Sequence, residues 1–206
     1  MVQITVEEQN WLKDNYPQMT YDAEELTISG SFRLDNSYGG KNIRDTFEIK
    51  IDLRKSPNRQ EYPVIYNTDG RIQKIASRKK RPLSDLHIYD DNSLCLGLPE
   101  RFSEYYPEGL TIQEIFRRLS EHLYWVAYFD RYSEAPWAAE KHGDDAKLEY
   151  RLEKAIDQKD IEQLRALHRE CCGRGIAKQK LRNYLNEPRL IKVLKKKLLS
   201  HGHTNS

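Results

Sequence analysis

Phe47-Glu48-Ile49-Lys50-Ile51-Asp52-Leu53 alternates apolar and charged side chains without a break. A strand turns successive side chains to opposite faces, so this period of two predicts a strand with one buried and one wet face. Upstream, Leu26 to Leu34 repeats the pattern through Leu26, Ile28 and Phe32, and Asn36-Ser37-Tyr38-Gly39-Gly40 reads as a turn cluster between the two. Downstream, Tyr62-Pro63-Val64-Ile65-Tyr66 reads as another short strand, closed by a Thr68-Asp69-Gly70 turn. Short strands joined by tight turns predict an antiparallel meander. From Ile75 to Asp91 the periodicity is lost, and an irregular stretch, first basic and then acidic, is expected.

The period changes to that of helices on either side of the meander. Thr5 to Tyr16 predicts a short helix capped by Thr5, with Val6, Trp11 and Leu12 as its apolar residues, stopping before Pro17. Thr111 and Glu114 have the spacing of a capping box. Behind them Ile112, Ile115, Phe116, Leu119, Leu123 and Val126 fall on one helical face, suited to lie across the sheet. The run Tyr124 to Phe129 is apolar enough to require burial on more than one side. His122, near the same face, reads as a core or boundary histidine. Ala135-Pro136-Trp137 breaks that helix, and Asp144 to Leu199 is helical in composition, with breaks at Cys172-Gly173-Arg174-Gly175 and at Pro188. Two or three helices are expected there. The organisation is therefore α+β: a domain over residues 1–145 and a helical C-terminal extension over 146–206, its last residues frayed.

A chain of 206 residues with 32% charged and 38% hydrophobic residues and a mean hydropathy of −0.85 builds a small core under a polar surface. Its net charge of +2 sets up no global field for nucleic acid. Arg78 to Arg81 and Lys192 to Lys197 are local basic clusters that read as solvated faces. In the second, packing through Leu190, Ile191, Leu194, Leu198 and Leu199 accounts for the pattern. No run approaches the ~18 apolar residues of a bilayer span. The start, Met1-Val2-Gln3-Ile4, is not that of a signal peptide. A cytoplasmic protein without membrane contact is expected, and Cys95, Cys171 and Cys172 are read as thiols.

Leu86-His87-Ile88-Tyr89-Asp90-Asp91-Asn92-Ser93-Leu94-Cys95-Leu96-Gly97 carries the chemistry. A cysteine is a nucleophile only as thiolate, in a partly exposed, charge-favourable setting. His87 lies eight residues before Cys95, and a folded loop brings an imidazole that distant back towards a sulfur. A buried, inert cysteine held between two leucines is the competing reading of the same residues.

Taken in order, Ile28-Ser29-Gly30, the Phe47–Leu53 strand, Tyr62 to Tyr66 with Gly70-Arg71-Ile72, and His87 through Cys95-Leu96-Gly97 resemble the core of a ubiquitin-conjugating enzyme. The chain is most similar to the prokaryotic relatives of that family, and Trp137-Ala138-Ala139-Glu140-Lys141-His142-Gly143 resembles their closing aromatic and His-Gly segment. The likeness covers residues 5 to 145. It implies a ubiquitin-conjugating-enzyme-like fold, a four-stranded antiparallel meander backed by helices. It also implies that Cys95 accepts a ubiquitin-like C-terminus, or that of a cyclic-nucleotide synthase (a nucleotidyltransferase), as a thioester from an activating enzyme. Cys95 would then pass it to a lysine of a target protein, and the setting implied is an antiphage operon. His87 matches the histidine of the family's His-Pro-Asn signature, but Ile88-Tyr89 follows it, so proline and asparagine are missing, and eukaryotic members space histidine and cysteine further apart.

The missing asparagine leaves the oxyanion donor open. Asn92 is either a substitute donor or a turn residue. Asp90 and Asp91 are either exposed turn residues or helpers in deprotonating the incoming lysine. His142 either lines the groove or only holds its loop. His168 to Gly175 resembles a decayed metal knuckle, but three crowded ligands fall short of the four that a structural zinc needs, so no metal and no cofactor is expected. Two other readings stand beside transfer: a catalytically silent module that docks a ubiquitin-like protein or synthase, and a nucleic-acid-binding regulator using the basic C-terminal helix.

Overall fold

The computed structural model describes residues 4–56, 59, 61–137 and 143–202. It divides into two compact units, Met1–Ala139 and Glu140–Ser206. The first helix of the second unit begins at Gly143.

The first unit is α+β. Its sheet is a four-stranded antiparallel meander in chain order: β1 (Met19–Asp22), β2 (Thr27–Tyr38), β3 (Lys41–Asp52) and β4 (Val64–Asn67). The expected turn cluster shrinks to Gly39-Gly40, since Tyr38 pairs with Lys41. Both glycines have positive φ, the requirement of the two-residue turn whose twist matches a hairpin. In the β2–β3 register Ile28 faces Ile51, Gly30 faces Ile49 and Phe32 faces Phe47, and apart from Gly30 these belong to the alternating set that the sequence marks as buried. The strand expected over Tyr62–Tyr66 pairs as Val64–Asn67, shifted past Pro63, which has no N–H to donate to a ladder.

Helix α1 (Val6–Asn15) carries the expected Thr5 cap as a full box with Glu8, although Val6 is 67% exposed and Ile4, just outside the helix, is buried in its place. A second helix, α2 (Arg71–Lys79), replaces the first part of the stretch read as irregular. Ile72, Ile75 and Ala76 form its short buried face. A short helix, α3 (Pro99–Tyr105), follows the Cys95 segment. Helix α4 (Ile112–Tyr132) is capped by the Thr111–Glu114 box and buries Ile112, Ile115, Phe116, Leu119, Leu123 and Val126 against the sheet. It ends at Ser133 in the left-handed conformation, before Pro136, and Trp137 folds back to stack on Tyr124 at 5.8 Å.

The second unit contains α5 (Gly143–Asp157), α6 (Ile161–Cys172), α7 (Lys178–Asn186) and α8 (Pro188–Gly202) around a core that includes Leu152, Leu164, Leu167, Leu181, Leu194 and Leu198. Two or three helices were expected. The additional break comes at Lys159, in the left-handed region, and at Asp160, whose carboxylate caps α6 through Gln163 N–H, with no glycine or proline to mark it. No described helix is long and apolar enough to cross a membrane.

Candidate functional site

Strand β4 offers an edge to the chain that returns after α2. Ser93 bridges to Tyr66, and Leu94 N–H donates to the Ile65 carbonyl at 2.8 Å. The segment also folds on itself: Ile88 pairs with Leu94, Tyr89 N–H donates to the Ser93 carbonyl and Cys95 N–H to the His87 carbonyl at 2.7 Å. The result is a small antiparallel ribbon. Ile88 and Leu94 point into the core, so the pleat places Tyr89 and Cys95 on the opposite face.

The ribbon's turn explains its polar residues. Asn92 N–H donates to the Tyr89 carbonyl, and Asn92 has φ 65°, the left-handed residue that closes a three-residue hairpin loop. Asparagine tolerates this conformation better than most side chains. Its amide oxygen is 3.5 Å from Gln73 Nε2. Asp91 accepts from both Ser93 N–H (2.9 Å) and Ser93 Oγ (2.6 Å), and these bonds hold its carboxyl below the usual range. Asp90 sits exposed at the tip.

Cys95 is half-buried and in no disulfide, between buried Leu94 and partly buried Leu96. The Tyr89 side chain lies beside its sulfur, on the same face of the ribbon. Burial first, then the neighbouring Cys95, Asp91 and Glu100 side chains, push the phenol well above its ordinary value, so Tyr89 stays a proton donor. His87 caps a 3-10 turn over Leu83–Leu86 from the left-handed region, at φ 59°. Its ring meets Trp125 and His122 of α4 edge-on, at 5.2 and 5.9 Å. Backbone pairing thus joins His87 to Cys95, and the imidazole packs on α4.

No family model, curated protein or solved structure matches this chain.

The site is therefore described by its own geometry. The fold gathers His87, Asp90, Asp91, Asn92 and Cys95 on one ribbon and adds Tyr89, which sequence reasoning passed over. Its signal was present in the numbering: in a ribbon pairing residue 88 with 94, positions 89 and 95 are diagonal neighbours on one face, within reach of an aromatic side chain. His142 lies outside the described residues. In the second unit His168 is buried, with Nδ1 2.6 Å from the Arg174 carbonyl and Nε2 3.2 Å from Lys197 Nζ. Cys171 is buried beside it, and burial raises its thiol. Among the described residues no group of three or more His, Cys, Asp and Glu could hold a metal ion.

A half-buried thiol with a hydroxyl donor beside it, on a rigid ribbon, suits acyl capture. The carbonyl carbon of a thioester is one bond from the sulfur. A donor beside the sulfur therefore lies close to where the oxyanion develops when an amine attacks.

Proposed function

We propose that this protein is a ubiquitin-conjugating-enzyme-like acyl transferase. Cys95 carries the C-terminus of a ubiquitin-like protein or of a cyclic-nucleotide synthase as a thioester and delivers it to a lysine of a target. The observation that carries the proposal is the placement of Tyr89 and Cys95 as neighbours on one face of a ribbon that keeps the sulfur out of the core. A meander in chain order, α1 before it and the long capped α4 behind the cysteine ribbon are compatible with that family's fold.

Charging exchanges one thioester for another: the Cys95 sulfur attacks the carbonyl, the donor's thiol leaves, and the proton lost from Cys95 goes to that leaving thiolate. In transfer the lysine amine attacks the same carbonyl, the Cys95 thiolate departs, and the proton lost by the amine goes to that thiolate. A thioester is already activated towards amines, so positioning and one oxyanion donor are what the chain must supply. The phenol of Tyr89 fills the donor's role, at the sequence position where the family has asparagine.

The test uses a synthetic peptide thioester as the acyl donor. Intact mass should show one acyl adduct that dithiothreitol removes, present in Cys171→Ser and Cys172→Ser, absent in Cys95→Ala, and discharged by free lysine. A folded protein that forms no Cys95 adduct overturns the transferase reading and leaves the silent binding module.

A further inference from the structure

The chain's small net charge conceals two opposed halves. Residues 143–202 hold fifteen Lys and Arg against nine Asp and Glu, a net of +6, so a chain of +2 leaves −4 for the remainder. The excess is concentrated at the end: residues 173–202 hold nine basic side chains and a single acid, Glu187. Leucine packing explains why this segment is helical. Leu194 and Leu198 are fully buried, and Ile191 and Leu199 pack against the same core. It does not explain the opposite side of α8, where Arg189, Lys192 and Lys196 recur at the third and seventh positions around exposed Val193.

Two cations of this region are neutralised within the unit: Lys178 pairs with Glu162 at 2.5 Å and Lys195 with Glu153 at 3.4 Å. Arg189, Lys192 and Lys196, with Lys180 and Arg182 of α7, are exposed and make no hydrogen bond or ion pair among the described residues. A fold whose acids are drawn to only some of its bases leaves a cationic stripe that repels itself and favours a polyanion.

The chemistry of the stripe selects among polyanions. A helix that lies in a lipid interface needs a free apolar face, whereas the apolar face of α8 is spent on the bundle core and Val193 alone stands outside. Protein interfaces are depleted of lysine and built on aromatic or aliphatic anchors, which this face lacks. Nucleic acid supplies a charge for about every 1.7 Å of duplex axis and requires only cations in a row. We infer that the outward face of α8 binds nucleic acid through its phosphate backbone, without reading sequence. This second site is independent of Cys95.

The experiment is fluorescence anisotropy of the full chain with labelled duplexes of roughly 25 base pairs and unrelated sequences, repeated across potassium chloride concentrations. Three to five displaced counterions give a log–log slope of about −3 to −4.5, so affinity should fall roughly 40- to 500-fold between about 50 and 200 mM salt. The two duplexes should bind alike. The triple variant Arg189→Glu/Lys192→Glu/Lys196→Glu should lose binding with unchanged circular dichroism, and Cys95→Ala should bind as the parent does. No binding at low salt, binding that ignores salt, or equal binding by the folded triple variant overturns the inference. Capture by phosphatidylserine vesicles without duplex binding, or polyglutamate binding as tightly as the duplex, also overturns it, in favour of a membrane or an acidic protein.

Discussion

At Tyr89 a phenol stands two residues after a histidine and across a narrow ribbon from a thiol. Its side chain shares a face with the sulfur because residues 88 and 94 are the paired positions, and its ionisation is suppressed by burial and by the charge around it, although 44% of the residue remains exposed. Tyr89→Phe keeps the ring and removes only the donor. Loss of a single oxyanion donor costs about 10²–10³-fold in other enzymes. Tyr89→Phe should therefore still form the Cys95 adduct and slow its discharge to lysine by roughly that factor, measured by single-turnover aminolysis. Equal discharge rates would remove Tyr89 from the mechanism. The same ribbon orders the thiols. Cys171 is buried with its thiol pushed up by that burial, so iodoacetamide at neutral pH should modify Cys95 well before Cys171, read by peptide mass spectrometry.

Among the elements, β1 was invisible in sequence because four residues are too few for a period to show. Its pairing depends on one position. Gly30, opposite Met19, has φ 138°, and a Cβ there would lie 2.1 Å from the Gln18 carbonyl oxygen. Neither the conformation nor the space suits a side chain, and the obstructing atom is backbone. Gly30→Ala should destabilise the first unit by about 1–3 kcal/mol or more, seen as a lower urea midpoint. If the midpoint is unchanged, the strand pairing at that edge is wrong. Helix α2 was hidden for another reason. Arg71–Lys79 is mostly charged and polar, and its three apolar residues mark a helix only when a neighbouring surface is there to cover them. Arg71 completes the attachment: it grips the Asp45 carboxylate with both terminal nitrogens, at 2.5 and 2.6 Å, and its guanidinium lies over the Phe47 ring.

On the scale of the first unit, Glu8 joins segments far apart in the chain. Its carboxylate caps α1 through Thr5 N–H, accepts Ile112 N–H at the start of α4 at 2.9 Å, and takes both terminal nitrogens of Arg59 at 2.7 and 2.9 Å. The two side chains are 8% and 18% exposed, so the pair is largely out of water. Burial would raise this carboxyl, but the Arg59 guanidinium and the backbone N–H groups of Thr5 and Ile112 outweigh it and lower the value. A carboxyl lowered on folding stabilises the folded state fully above its unfolded value, about 4.3, and that contribution disappears as pH falls through the lowered value. Glu8→Ala removes the carboxylate from a largely buried ion pair and should cost about 3–5 kcal/mol at neutral pH. Urea midpoints of Glu8→Gln should fall less steeply than those of the parent between neutral pH and about pH 3. Parallel slopes would show that Glu8 is not the linked group.

The α+β class, the strict alternation of β3, the capped α4 and the helical nature of the extension follow from local order alone. Each rests on a repeat long enough to declare its period, or on a capping pair three residues apart. Cys95 could be singled out by its surroundings in the chain, but whether its side chain faces the core could not be told. That required knowing which way the pleat turns, and register is set by what a strand pairs with: here β4, some thirty residues earlier in the chain. The partnership of Tyr89 with Cys95, the short β1, the grip of Glu8 on Arg59 and the outward stripe of α8 were decided only in three dimensions. Each depends on burial and charge pairing between residues that the linear order keeps apart.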